Sequence, residues 1–271
     1  MALEDFISIL RPADGLLAAL AVLVGFLVAS SSLELPIALG FALLSVFLFS
    51  GAGIALNDFF DFEMDKVNAP HRPLPSGRIS RKTALYYSAG LFAIALFLAA
   101  LINQWCLGLA ALNTVLEILY AWKLKRIALV GNFTDSWFPA SSFLYGALVI
   151  PTLGAVPILA GLAFLANTGR EIFGDLEDVK GDRKTGARTL PIVLGKKKAR
   201  IAAQAFIFAA VILSLVPWVL GMLSFYYMPI VLLADAVFLF SLFQPPAKNQ
   251  ALTKAAMLVA LLAFLAGTLA G

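Results

Sequence analysis

Nine runs of predominantly apolar residues, at positions 13–32, 35–57, 82–101, 105–121, 133–150, 155–171, 199–220, 222–243 and 252–270, alternate with short polar stretches. Each run has the roughly 17 to 25 residues that an α-helix needs to cross the hydrocarbon core of a bilayer. The pattern predicts an all-α polytopic membrane protein with nine transmembrane helices, forming one membrane domain over residues 1–271. The first run is long and lacks a small-residue cleavage site, so it reads as a permanent helix and not as a signal peptide.

Composition agrees, with 61% hydrophobic and 13% charged residues among 271, far from the balance of a soluble domain. The placement of charge adds an orientation. Arg11 precedes the first run; Lys66, Arg72, Arg78, Arg81 and Lys82 lie between the second and third; Lys123, Lys125 and Arg126 follow the fourth. The residues from Arg170 to Arg200 that join the sixth and seventh runs, with Lys248 and Lys254 before the ninth, complete the 20 basic residues. All lie on the face of the amino terminus, so the positive-inside rule makes that face cytoplasmic and places the carboxyl terminus outside a cell membrane. The net charge of +4 therefore describes one basic face, suited to anionic lipid head groups or phosphorylated substrates. No stretch interleaves basic and aromatic residues as a nucleic-acid platform would. Cys106 is the single cysteine, which excludes an intramolecular disulfide or a cysteine-based metal cluster, and with His71 the single histidine no histidine and cysteine cluster argues for zinc or copper.

Two acidic segments interrupt the apolar pattern. NDFFDFEMDKVNAPHRPLPSGRISRK follows the second run, and GDLEDVKGDRKTGARTLPIVLGKKK follows the sixth. Asp58, Asp61 and Asp65 recur as Asp175, Asp178 and Asp182, each triad followed by an arginine, a Leu-Pro pair, a glycine and a cluster of cations. These pseudo-repeated regions, 57–82 and 170–200, emerge at the same membrane face. Spacing of i, i+3 and i+7 sets each triad along one stripe of a helix. Six carboxylates facing one cavity repel strongly and are costly to desolvate, which calls for multivalent cations. Mg²⁺ suits them, because it prefers carboxylate oxygens and completes its shell with water and substrate phosphate. A diphosphate site beside an apolar interior implies a substrate with an anionic head and a long hydrocarbon tail, such as a polyprenyl diphosphate.

NDFFDFEMD with NAPHRPLPSGRIS, and GDLEDVKGD with RKTGARTLPIVLG, resemble the two signature segments of the UbiA superfamily of intramembrane prenyltransferases. The resemblance extends to the nine spans and to the Arg11-Pro12 pair. It implies nine helices around a central cavity, a cytoplasmic aspartate-rich cap, two Mg²⁺ ions and a lateral opening to lipid. By motif, Asn57, Asp58, Asp61 and Asp65 correspond to the first catalytic segment and Asp175, Asp178 and Asp182 to the second, with the six aspartates as metal ligands. Arg11, Arg72 and Arg78 would hold phosphate, joined by Arg188 and, less directly, by Arg183 and Lys184. The family's YxxxK pattern is altered here to YAWKLKR, which leaves open whether Lys123 or Lys125 serves with Tyr120. The pairing of HRPLPSG with REIFGDLEDVKGDRKTGARTLP is most like archaeal digeranylgeranylglyceryl phosphate synthases. That likeness implies transfer of a geranylgeranyl group from its diphosphate to the sn-2 hydroxyl of geranylgeranylglyceryl phosphate. Prenylation of an aromatic quinone precursor such as 4-hydroxybenzoate is the alternative.

Further polar residues lie within the apolar runs, where ionisable groups face a cavity or a partner. Asn113, Glu117 and Tyr120 fall on one face of the fourth run, and Glu117 and Tyr120 are candidates to line an acceptor pocket. Asn132, Asn167 and Arg170 are further substrate-binding candidates near the cap, with Asp135 and Glu171 beside them. Asp235, inside the eighth run, reads as an interhelical packing contact. A transporter would gather its acids near the bilayer midplane, and a membrane alcohol phosphotransferase would show DxxDGxxAR, which is absent.

Overall fold

The computed structural model describes residues 3–30 and 34–269, apart from the side chains of residues 3, 67 and 68. Positions 31 and 32 of the first predicted span and position 270 of the last lie outside the described residues. The described chain is helical, with one isolated bridge between Ile127 and Arg188. Its α-helices are α1 (Leu3–Leu10), α2 (Pro12–Ser30), α3 (Ile37–Phe60), α4 (Phe62–Asn68), α5 (Arg81–Ile102), α6 (Gln104–Trp122) and α7 (Val130–Leu148). They continue as α8 (Val156–Thr185), α9 (Leu190–Leu194), α10 (Lys196–Leu213), α11 (Val216–Val219), α12 (Tyr227–Ser241) and α13 (Pro246–Leu269).

Six stretches are long and apolar enough to cross a membrane: α2, α3, α5, α6, α13, and α10 together with α11. The other three predicted spans correspond to α7, α8 and α12. α7 carries Asn132, Thr134, Asp135, Ser136, Ser141 and Ser142, the second half of α8 is charged, and α12 has only 15 residues. The short helix α1 was not expected from the pattern. Its Ile9 is 1% exposed and packs with Leu74, Ile79 and Ala84 beneath the loop that follows the first aspartate segment.

Neighbours along the chain pair in space, α2 with α3, α5 with α6, α7 with α8 and α12 with α13, while α3 packs on α5, α8 on α10 and α13 back on α2. This last contact closes a ring, fastened by an ion pair between Lys254 and Asp14. The ring encloses a cavity of about 1000 Å³ to which α2, α3, α5, α6, α7, α8, α10, α12 and α13 all contribute residues.

Candidate active site

The first aspartate segment lies across a helix break. α3 ends at Phe60 and α4 begins at Phe62, with Asp61 between them at φ −89° and ψ 6°. The helical bond pattern survives, since Asp61 N–H donates to Asn57 O at 2.9 Å and Asp65 N–H to Asp61 O at 2.8 Å. The three carboxylates therefore share a side as the spacing predicts, although the expected single helix is interrupted.

Each of these carboxylates meets a cation. Arg11 Nη2 stands 2.9 Å from Asp58 Oδ1, Arg72 Nη1 lies 2.7 Å from Asp65 and 3.7 Å from Asp58, and Lys125 Nζ is 2.6 Å from Asp61. Lys125 also donates to Asn57 Oδ1 at 3.3 Å, while Asn57 Nδ2 donates to Glu117 Oε1 at 2.8 Å. Glu117 can approach because residue 53 is glycine, where a Cβ would come within 2.9 Å of the Glu117 carboxyl carbon. Arg11 is aimed from the α1–α2 junction with φ at +45°, a strained conformation for a residue that precedes proline. These contacts correct the expectation that multivalent ions alone could balance the acids, because arginine and lysine from neighbouring segments neutralise the first triad.

The second segment is built differently. α8 runs on for 14 residues beyond its predicted end at 171, carrying Asp175, Asp178 and Asp182 on one continuous helix. It stops at Gly186, whose φ of +70° suits a residue without a Cβ. Asp175 accepts from Asn132 Nδ2 at 2.8 Å, and Asp182 from Thr189 Oγ1 at 2.9 Å. Among the described residues no salt bridge reaches this triad. Burial pushes the Asp175 carboxyl up to about 7, opposed by the Asn132 hydrogen bond and reinforced by Asp182 and Asp178. Burial also raises Asp178, helped by Asp182, and raises Asp182 against the Thr189 hydrogen bond.

The triads face one another. Asp61, Asp175, Asp178 and Asp182 line a smaller cavity of about 370 Å³ with Lys125 and Glu171. Asp58, Asp61 and Asp65 also line the central cavity, opposite Asp178 and Asp182. Among the described residues no three carboxylate, histidine or cysteine side chains converge on a single ion position. The donor set nonetheless fits Mg²⁺: all-oxygen carboxylates from two helix systems around a shared space, half of them without a protein cation.

Other expected residues divide into those at the cavity and those away from it. Arg170 pairs with Glu171, and its Nε donates to Asn167 Oδ1 at 3.0 Å. Asn167 Nδ2 in turn donates to Asp135 at 3.3 Å, and all four residues line the central cavity. Tyr120 lines both cavities, its ring edge-on to Phe138 with centroids 6.2 Å apart. Asn132 serves as a support, holding Asp175 with one amide atom and accepting from Leu129 N–H with the other. Lys125 reaches Asp61, while Lys123 is exposed, which settles their relative placement.

Arg78 points elsewhere, donating to Asp5 at 3.0 Å and to the His71 carbonyl at 2.7 Å. Arg188, Arg183 and Lys184 are exposed, and the Arg188 backbone N–H donates to Arg126 O at 2.8 Å. Asn113 is held between Ser141 Oγ and Trp137 Nε1, at 2.9 and 2.7 Å. Asp14, Lys180 and Lys254 line the cavity without having been singled out. Only the contact between the first and last long helices marks the Asp14 and Lys254 pair, and no local motif announces it.

Residues 18–269 match the profile of the UbiA prenyltransferase family. The chain is 42% identical over 98% of its length to the whole of a digeranylgeranylglyceryl phosphate synthase from Methanococcoides burtonii. A solved structure of a digeranylgeranylglyceryl phosphate synthase superimposes with a TM-score of 0.83 at 31% identity, covering 99% of both chains. A UbiA homologue from Archaeoglobus fulgidus bound to GPP and Mg²⁺ gives a TM-score of 0.77 at 19% identity, covering 98% of this chain and all of that one. At that identity the likeness speaks to the fold.

Proposed function

Since the chain belongs to the UbiA prenyltransferase family, we propose that it catalyses the Mg²⁺-dependent transfer of a geranylgeranyl group from its diphosphate to the hydroxyl of geranylgeranylglyceryl phosphate, forming an ether lipid. The chain is a multi-pass membrane protein with prenyltransferase activity. The observation that carries the finer reading is the meeting of two aspartate triads at one end of a cavity whose remaining walls are largely apolar. The synthases it resembles over nearly its whole length are named for digeranylgeranylglyceryl phosphate, the product this reaction would form, which supports the reading.

In this reading α2, α3, α5, α6, α7, α8, α10, α12 and α13 all span the membrane as one domain, the amino terminus and the aspartate cap face the cytoplasm, and the carboxyl terminus lies outside. The one-sided distribution of Lys and Arg supports that orientation. Two Mg²⁺ ions held by Asp58, Asp61, Asp65, Asp175, Asp178 and Asp182 would stabilise the charge that develops on the departing diphosphate.

The protein's own groups prepare the rest. Arg11, Arg72 and Lys125 present donors to the cavity at the level of the carboxylates, matched to phosphate oxygens. Tyr120, Phe138 and Phe49 line the space just below, where aromatic faces stabilise an electron-deficient allylic carbon and apolar walls exclude water. Purified protein given labelled geranylgeranyl diphosphate and a panel of acceptors tests the proposal. Ether formation on geranylgeranylglyceryl phosphate is expected, and product formed only on 4-hydroxybenzoate would reject the lipid acceptor.

A further inference from the structure

The central cavity is continuous at its aspartate end, yet two helices divide its deeper part. α2 and α7 cross almost backbone to backbone. A Cβ on Gly25 would stand 2.1 Å from Phe143 O, and one on Gly146 would stand 2.0 Å from Val22 O. Nothing larger than hydrogen fits at either position. The cavity-lining residues of α2 accordingly stop at Ala21, one position before the crossing.

Each of these helices turns one face to either side. Ala21, Val24, Phe143 and Ala147 pack with Tyr227 and Phe264 in one buried cluster. Val22, Phe26, Tyr145 and Val149 pack with Ala99 and Ala110 in another. α2 and α7 therefore form a wall between two lobes, one bounded by α3, α5 and α6 and the other by α8, α10, α12 and α13.

Both lobes end on a buried hydrogen-bonded floor. In the first, Tyr145 Oη donates to Ser45 Oγ at 3.1 Å, and Ser45 Oγ donates to Ala95 O at 2.8 Å. In the second, Tyr227 Oη donates to Ser214 O at 2.7 Å, and Ser214 Oγ donates to Asp235 Oδ2 at 2.8 Å. All of these residues line the cavity. An apolar chain can fill the space above such a floor but gains nothing by displacing its bonds.

We propose that the two lobes hold two isoprenyl chains side by side, the acceptor's chain in the lobe of α3, α5 and α6 and the donor's chain in the lobe of α8, α10, α12 and α13. The assignment rests on the lipid-phosphate acceptor proposed above, since a small aromatic acid would leave one lobe without a purpose. The first lobe opens beneath Glu117 and Tyr120 on α6, and Asn113, Thr114 and Ser141 line it. The second is more apolar, walled by Ala163, Ala166, Val231, Met257, Leu258 and Leu261. Asp235, which the reading of the sequence left to helix packing, is then part of the floor on which the donor chain ends.

Filling each lobe separately tests the arrangement. Ala110→Leu narrows the first and Ala163→Leu the second, and both variants are assayed in detergent with geranylgeranyl and farnesyl diphosphates. The acceptors are glyceryl phosphates carrying a geranylgeranyl or a geranyl chain. Ala110→Leu is expected to raise KM for the geranylgeranyl acceptor roughly tenfold, the usual penalty for a change of a few carbons in an apolar pocket, while KM for the donor stays put. Ala163→Leu is expected to raise KM for geranylgeranyl diphosphate by a similar factor and to favour farnesyl diphosphate. Activity retained on the shorter substrate shows that each variant is folded. If both variants impair the same substrate, or if neither discriminates by chain length, the two-lobe assignment fails. Absence of ether product from the unaltered protein would instead overturn the function on which it rests.

Discussion

Asp58, Asp61 and Asp65 each touch a cation, whereas Asp175, Asp178 and Asp182 touch none among the described residues. The sequence spacing of the two segments is the same. The first is broken at Asp61 and clamped by Arg11, Arg72 and Lys125; the second is carried on an uninterrupted helix and met by the neutral donors Asn132 and Thr189. A repeated motif has thus been given one half that is balanced internally and one half that meets no protein cation among the described residues, its carboxyls raised by burial. Attraction of a divalent ion should begin at the second half, where no ammonium or guanidinium has to be displaced.

The largest effects should come from removing carboxylates. Asp61→Ala and Asp178→Ala are each expected to lower kcat by at least ~10²-fold, the scale for losing one member of a charge-stabilising site. Diphosphate release from labelled geranylgeranyl diphosphate reads this out. Turnover near normal in either variant would remove that residue from the site.

A smaller effect distinguishes the halves by pH. The Asp175 carboxyl, raised to about 7 by burial, is protonated below that value and cannot then ligate a cation. The apparent Mg²⁺ affinity should therefore fall as pH drops from about 8 to about 6, by up to ~10-fold per unit at the acid end. Asn132→Leu deletes a bond that favours the ionised form, so it should move this midpoint upward. A Mg²⁺ requirement that is flat with pH would contradict the placement of Asp175.

The first half should respond in stability. Arg72→Ala leaves Asp58 and Asp65, both 4% exposed, short of a partner. Because the Arg72 side chain keeps 35% of its surface exposed, the loss should be about 1–2 kcal/mol, below the range for a fully buried pair. Thermal unfolding in detergent would detect it, and millimolar Mg²⁺ should recover part of the loss. An unchanged melting curve would mean that Arg72 contributes nothing to holding the triad.

The smallest effect on catalysis is expected from Arg78→Ala. Its guanidinium is committed to Asp5 and the His71 carbonyl, so kcat/KM should change by less than about threefold, with a stability cost below ~1 kcal/mol. A large rise in KM for the diphosphate would return Arg78 to the substrate site.

These contrasts mark where the sequence was informative. The apolar runs correspond to the nine longest helices, and six of them fall in stretches long and apolar enough to cross a membrane. The two triads were visible because the pattern DxxDxxxD repeats in matching positions. The helical phase of Asp175, Asp178 and Asp182 was legible in their spacing, but the unbroken continuity of that segment with the apolar run ending at 171 was not, since a hydrophilic helix beyond the apolar region has the composition of a loop. Nor could spacing distinguish Arg72, which reaches two aspartates, from Arg78, which reaches none of the six. That choice is made by the fold of the intervening loop around α1, a helix of eight residues too short to stand out. The Lys123 and Lys125 ambiguity likewise resolved only through the short turn at Leu124–Arg126.

The 30 residues of α8 make a rod of about 45 Å at 1.5 Å per residue, longer than the ~30 Å hydrocarbon core of a bilayer. Its apolar first half packs among α7, α10 and α13, and Asp182 lies near its other end. A lean of about 5° at one end would carry the other by roughly 4 Å. If α8 crosses the bilayer as proposed above, turnover measured across vesicles of graded acyl length is expected to pass through a maximum.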